Sequence, residues 1–163
     1  RSHCDWSSDV CSSDLAREDL AVVSLGEFLY AIGGVDDGVG GPRQSRSTQR
    51  YDPVADVWEG MAEMRTARGR LAAAVVGNHL YAIGGQDTNG EALAATERYD
   101  LVADVWEEMA SMATAREMHA AVSAGGYLFA MGGLGLDEDT VSTTESWVHE
   151  SVRGFRKIRR AHV

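Results

Sequence analysis

Cysteine is almost missing from this chain of 163 residues. Its two examples, Cys4 and Cys11, sit at one end and cannot staple the whole chain with disulfides. Between residues 16 and 156 there is none, which fits a reducing compartment and leans towards the cytoplasm. Lysine is absent over the same span, so every fixed cation there is an arginine. No apolar run approaches the ~20 residues a membrane-spanning helix needs, and no membrane partner is expected. Positive charge is scarce overall: 15 basic residues against 25 acidic ones leave a net charge of −10. A surface of that sign repels phosphate backbones, so no nucleic acid is expected as a partner.

The signatures of chemistry are equally thin. Nucleophilic catalysis needs a serine or cysteine beside a base, and the span 16–156 has no cysteine and no Gly-x-Ser-x-Gly. A zinc centre needs three or four closely placed ligands, a spacing that is not visible. Asp36-Asp37 and Asp137–Asp139 cluster carboxylates but fall short of a calcium loop's ligand count. The glycine-rich run from Gly33 to Gly41 lacks the Gly-Lys-Ser/Thr ending of a phosphate loop, and its aspartates would repel phosphate. No catalytic residue, metal ligand or cofactor is therefore expected.

Both ends differ from the middle. Residues 1–15 carry no periodicity that would bury a face and no apolar signal-peptide core. Asp5 to Leu15 resembles the conceptual translation of a sequencing adapter. Lys157 to Val163 resembles that of the opposite strand with one residue changed. Residues 1–15 are expected to be disordered and adapter-derived, and residues 151–163 to be a divergent tail whose last seven residues share that origin.

What remains is a repeat. Leu29-Tyr-Ala-Ile-Gly-Gly34 returns as Leu80-Tyr-Ala-Ile-Gly-Gly85 and as Leu128-Phe-Ala-Met-Gly-Gly133. Val54-Ala-Asp-Val-Trp-Glu59 returns as Val102-Ala-Asp-Val-Trp-Glu107. Thr66-Ala-Arg68 returns as Thr114-Ala-Arg116, with Ala16-Arg17 in the same place one unit earlier. A third unit retains Thr143-Thr-Glu-Ser-Trp147, aligned with Ala95-Thr-Glu-Arg-Tyr99, and then loses the pattern after Val148. Self-similarity at such a period signals repeated structural units.

Each unit reads as four short strands. Leu71 to Val76 is a run of small apolar residues suited to a strand buried on both faces. Gly77-Asn78 turns the chain, His79 to Ile83 alternates, and Gly84-Gly85 ends that strand. Thr96 to Tyr99 is a third strand and Val105 to Glu107 a fourth. A four-stranded unit of this length is a propeller blade, so the fold expected is all-β: a partial propeller of two and a half to three antiparallel blades. Blades are placed at about 16–67, 68–115 and 116–150. Trp58, Trp106, Tyr51 and Tyr99 should fill the space between neighbouring blades, each contributing about 1.5–3 kcal/mol by burial. Arg68, Arg116 and Glu97 recur at fixed phase and should hydrogen-bond backbone at the blade corners.

A diglycine after an apolar strand, then Tyr-Asp, then Trp resembles the kelch repeat. Gly33, Gly34, Tyr51 and Trp58 carry it first, then Gly84, Gly85, Tyr99 and Trp106, then Gly132 and Gly133 with Trp147 in the tyrosine's place. The resemblance implies that these residues are scaffold. It implies a ligand face built from the loop after each diglycine and from the connection into the next inner strand. Arg43, Arg46 and Arg70 are then the expected contacts, with Gln86, Asp87 and Asn89 beside them, because arginine grips carboxylates bidentately. Their plain alternative is local pairing with Asp36, Asp37 or Asp87.

The function implied is non-enzymatic: docking of a partner protein or peptide on the loop face. Kelch propellers often recruit substrates for cullin-type ubiquitin ligases, with a BTB domain upstream. The alternative is a piece of a sugar-handling enzyme resembling the sialic-acid mutarotases, its reactive residues lying in other blades. A copper enzyme resembling galactose oxidase is disfavoured by the missing cysteine. An arc of so few blades is expected to be poorly stable alone and to self-associate non-specifically through open strand edges.

Overall fold

A computed structural model of the chain describes residues 16–37, 41–136, 139–148 and 156–162. The adapter-like opening with Cys4 and Cys11, His149, and Asp137 and Glu138 lie outside the described residues. Every regular element described is a strand. In chain order they are β1 (Arg17–Glu18), β2 (Ala21–Leu25), β3 (Phe28–Ile32), β4 (Val35–Asp36), β5 (Arg43–Gln44), β6 (Thr48–Asp52), β7 (Val57–Met61) and β8 (Ala72–Val76). There follow β9 (His79–Ile83), β10 (Thr96–Asp100), β11 (Val105–Met109), β12 (Ala120–Ala124), β13 (Tyr127–Met131), β14 (Thr143–Val148) and β15 (Arg156–His162).

Three four-stranded antiparallel sheets result: β2-β3-β6-β7, β8-β9-β10-β11 and β12-β13-β14-β15. They are the blades of a partial propeller. The register follows the repeat residue by residue. Leu29 lies opposite Tyr51 and Tyr51 opposite Trp58; Leu80, Tyr99 and Trp106 repeat the order; Leu128 lies opposite Trp147. In the first two blades the tyrosine and tryptophan stack at a tilt, with ring centroids 5.0 and 5.2 Å apart.

The first strands β2, β8 and β12 lie side by side, so they form the inner wall. Their small residues allow that approach. In β8, Ala72, Ala74 and Val76 are buried while Ala73 and Val75 are half-buried, so both faces meet a neighbouring blade. Between blades 1 and 2, Tyr30 and Ile32 pack on Leu80, Ala82, Tyr99 and Trp106. Between blades 2 and 3, Tyr81 and Ile83 pack on Leu128 and Ala130.

Two features depart from the sequence reading. The long loop after the first diglycine supplies β4 and β5, which pair with β1 from the entry to the blade in a small three-stranded sheet. Later blades reduce it to single bridges, Gly69 with Gln86 and Gln86 with Ala92, then Glu117 with Leu134 and Leu134 with Thr140. The tail expected outside the blades contributes β15, which pairs with β14 and completes the third sheet across an irregularity at Ser146/Trp147. Backbone pairing needs no Asp-Val-Trp signature, so the loss of that motif hid the strand.

The diglycines act where blades meet. Gly84 has φ +55°, and a Cβ there would stand 2.5 Å from the Arg116 carbonyl oxygen and 2.8 Å from His119. Gly132, its counterpart in blade 3, has φ +68° but nothing among the described residues within 4 Å of that position. Gly132→Ala should therefore cost only the left-handed backbone penalty, about 1–2 kcal/mol, whereas Gly84→Ala adds a clash and should cost at least ~1 kcal/mol more. Urea titration of the two variants checks this difference.

Candidate functional site

The corners between blades are organised by buried arginines. Arg68 and Arg116 are fully buried although they lie in connecting segments. The Arg68 guanidinium donates to the carbonyls of Gly84 (3.0 Å) and Ala95 (2.9 Å) and to the Glu97 carboxylate (2.6 Å). Arg116 donates to Gly132 (3.0 Å), Thr143 (2.8 Å) and Glu145 (3.1 Å). In the first blade Arg17 makes the same set with Gly33, Ser47 and the Gln49 side-chain carbonyl. Burial pulls Arg68 below its ordinary value, partly offset by Glu97.

The carboxylates do a second job. Glu97 accepts the backbone N–H groups of Arg65 (2.7 Å) and Thr66 (3.1 Å). Glu145 does the same for Ala113 and Thr114. Each third strand thus holds down the connection that enters its own blade. The main chain then links onward, since Gly34 N–H donates to the Arg68 carbonyl and Gly85 N–H to that of Arg116. Met64 and Met112, four residues before the arginines, are buried against the preceding diglycine. The sequence reading missed them, although they recur in phase with Arg68 and Arg116.

Loops after the diglycines and connections between blades share one end of the arc. There the chain repeats an unusual conformation: Asp19, Arg70 and Met118 occupy equivalent places with φ of 53°, 51° and 51°. A left-handed backbone at a non-glycine residue costs free energy and persists only where its surroundings impose it. A row of hydrogen bonds imposes it here, from Arg70 N–H to the Asp19 carbonyl (2.8 Å) and from Met118 N–H to that of Arg70 (2.9 Å). The result is a constant main-chain rail presenting one acidic, one basic and one apolar side chain.

Arg70 forks between Asp19 (3.1 Å) and Glu117 (3.4 Å), a pairing that raises it above its usual value. Gln86 reaches the same Glu117 carboxylate (3.3 Å) and the Gly90 carbonyl. Arg70 and Gln86 are therefore brought together, joined through Glu117, with Asp19 as a member that sequence reasoning did not single out. Asp87 and Asn89 instead shape their loop. Asp87 accepts the N–H groups of Asn89 and Glu91 and the Asn89 amide, and these bonds hold it below the usual carboxylate range against its own desolvation. Arg46 pairs with Glu63 (2.9 Å) in the open, and Arg43 sits exposed on β5. An open cleft of about 680 Å³ lies elsewhere, lined by Arg17, Asp36, Ser47 and Gln49.

The scaffold residues divide by position. Trp106 is buried, and its indole N–H donates to Thr48 Oγ1 (3.1 Å) and the Ala62 carbonyl (3.0 Å) of the preceding blade. Tyr99 is buried with it and donates to Asp104, which also accepts Ala62 N–H. Trp58 and Tyr51 are only half-buried, because blade 1 has no described neighbour on that side. Tyr99 and Trp106 thus fill the space between the first and second blades.

Repeated four-stranded blades, clamped at each corner by an equivalent arginine, define this chain as an arc of a β-propeller. A family model for the Kelch motif matches residues 16–65 and 67–113. The chain belongs to the kelch-repeat family. It is 33% identical over 69 residues to Kelch-like ECH-associated protein 1B of Danio rerio, covering 42% of this chain and 12% of that protein. It is 35% identical over 89 residues to Kelch-like protein 35 of Mus musculus, covering 55% and 15%. The chain thus spans less than a fifth of the length of these relatives. The solved structure of YjhT matches over 90% of this chain and 52% of that one, with a TM-score of 0.80 at 12% identity. A likeness at that identity is one of fold.

Two outcomes follow from the corner chemistry. Glu97→Ala leaves Arg68 buried and unpaired and should cost about 3–5 kcal/mol, whereas Glu97→Gln should cost clearly less, since Gln49 serves Arg17 in that place. Chemical denaturation of both variants checks the order. His119 is buried where blades 1 and 2 carry Leu20 and Leu71, neither ring nitrogen has a partner among the described residues, and burial with Arg116 beside it lowers its pKa from 6.5 to about 4. The unfolded chain therefore takes up the proton first on acidification. The stability tied to neutral His119 is complete above about pH 6.5 and is lost as pH falls towards 4. His119→Leu should flatten that part of a stability-against-pH curve measured by thermal melts.

Proposed function

We propose that this chain is the arc of a kelch propeller that binds a partner protein or peptide through its loop end, with Asp19, Arg70 and Met118 as the reading positions and Gln86 beside them. The observation that carries this reading is the rail itself: one backbone conformation, held by inter-blade hydrogen bonds, presenting different side chains at equivalent places. A rigid main chain with varied side chains is how a scaffold recognises a ligand without rebuilding itself. Membership of the kelch family supports it, and so does a relative named as an associated protein.

Arg70 is the central contact in this reading. Its guanidinium is a third exposed and shared between two carboxylates, and Asp19 is similarly open. A ligand carboxylate would compete with Asp19 for the fork, while the apolar side chain of Met118, which is exposed, would add buried area. Arg43 and Arg46 lie at the outer margin and would tune charge rather than anchor.

The test is selection from a displayed peptide library against the 163-residue chain, followed by affinity measurements on variants. Arg70→Ala should weaken the selected ligands at least about tenfold, the loss expected of a central contact. Val54→Asp, on an exposed turn at the opposite end, should leave them unchanged. Ligands indifferent to Asp19, Arg70 and Met118 would overturn the assignment.

A further inference from the structure

One residue at the corners departs from the chemistry of its repeat. The place just before each inner strand holds Leu20 in blade 1 and Leu71 in blade 2, but His119 in blade 3. Leu71 belongs to the apolar cluster between blades 1 and 2. The equivalent place in blade 3 therefore belongs to the joint between blades 2 and 3, with both walls inside the chain. His119 is 9% exposed there, close to the 7% of Leu71. Its Cε1, the carbon between the two ring nitrogens, stands 2.8 Å from where a Cβ on Gly84 would be, next to the Met112 methyl group. Neither ring nitrogen has a hydrogen-bond partner among the described residues. Leucine fills this place one blade earlier without burying two unpartnered polar atoms, so packing alone gives no reason for the histidine.

The surroundings are arranged against a second cation. Gly84 and Gly85 of blade 2, and Gly132 and Gly133 of blade 3, bring no charge to the ring. Burial, and then the Arg116 guanidinium of its own connection, disfavour a proton on it. The carboxylates of this corner are engaged elsewhere, Glu145 with Arg116 and Glu117 with Arg70 and Gln86. Protonated in place, His119 would be a buried charge beside another of the same sign, with no counter-ion of its own among the described residues.

The residues leading up to His119 fasten blade 3 to blade 2 at the loop end. The Arg116 carbonyl accepts the Gly85 N–H (2.9 Å). The Glu117 carboxylate accepts from Arg70 and Gln86, and the Met118 N–H donates to the Arg70 carbonyl (2.9 Å). A ring leaving the joint would pull on all of these bonds.

We propose that His119 is an acid-operated latch: its protonation drives connection 116–119 out of the joint between blades 2 and 3 and takes Met118 and Glu117 away from Arg70. The direction follows from linkage. A solvated ring binds a proton near pH 6.5 and the buried ring only near 4, so falling pH favours the open form. The joint between blades 1 and 2, closed by Leu71, has no such group and stays shut. The opening is thus local, and it stands whether or not the loop end binds a partner.

Amide hydrogen exchange of the 163-residue chain, followed residue by residue by NMR at pH 7 and pH 5 and corrected for the intrinsic pH dependence of exchange, tests this. The Gly85 and Met118 amides report the joint between blades 2 and 3, and the Gly34 and Arg70 amides report the joint between blades 1 and 2. The open population seen by the first pair should rise about twentyfold from pH 7 to pH 5, while that seen by the second pair stays constant. His119→Leu, which copies the other two blades, should abolish the rise. An equal rise in both pairs is global unfolding and overturns the proposal. So does a first pair that does not respond, or a response that survives in His119→Leu. A chemical-shift titration that places the His119 ring near its ordinary 6.5 in the folded chain overturns it as well.

Discussion

A buried charged group at the corners of the second and third blades, Arg68 and then Arg116, holds this arc together. Removing a guanidinium from water is costly unless each of its donors finds an acceptor and its charge a partner. Arg68 meets most of that demand with two carbonyls and the Glu97 carboxylate, and Arg116 with two carbonyls and Glu145, each leaving its Nε–H without a partner among the described residues. Those acceptors come from the end of the second strand, the entry to the third strand and the third strand itself. One side chain therefore fixes where three parts of a blade stand. Because the partner carboxylate also accepts two N–H groups of the incoming connection, the same interaction sets how one blade hands the chain to the next.

The diglycines, the buried methionines and the left-handed rail follow from that hand-over. Arg68 and Arg116 offer their carbonyls to Gly34 and Gly85, so the connection runs close against the end of the preceding second strand. Gly33 and Gly84 meet those carbonyls where any side chain would collide. Met64 and Met112 fill the remaining gap, a role that suits an unbranched and adaptable side chain. Two residues beyond each arginine the chain turns left-handed, and the rail forms where the loops gather. The clamp that stabilises a corner also fixes the backbone that displays Asp19, Arg70 and Met118.

Much of this was legible in the residues. The diglycines, the tyrosines and the tryptophans repeat in phase, and their cross-strand register is the one that phase implies. Arg68, Arg116 and Glu97 were marked by recurrence alone, and hydrogen bonding at the corners is what they do. Of the loop residues, Arg70 and Gln86 share a network, while Asp87 and Asn89 shape their own turn and Arg46 pairs locally. Asp19 was overlooked because identity is what a repeat search rewards, and Asp19, Arg70 and Met118 are equivalent residues that differ. Strand β15 was overlooked for a related reason, since a strand can complete a sheet through main-chain bonds without any of the motif's side chains.

By itself the sequence determined the repeat, its four-stranded unit and the residues at the corners. Those properties are local or periodic, and periodicity survives in one dimension. Only the tertiary structure decided which copies of a repeated residue are buried. Trp106 and Trp58 have identical flanking residues, yet one fills a joint and the other lies half open. Gly84 and Gly132 end equivalent strands, yet only one stands against a carbonyl. Burial depends on the blade alongside, and which blade stands alongside is a fact of three-dimensional neighbourhood that a repeating sequence does not encode.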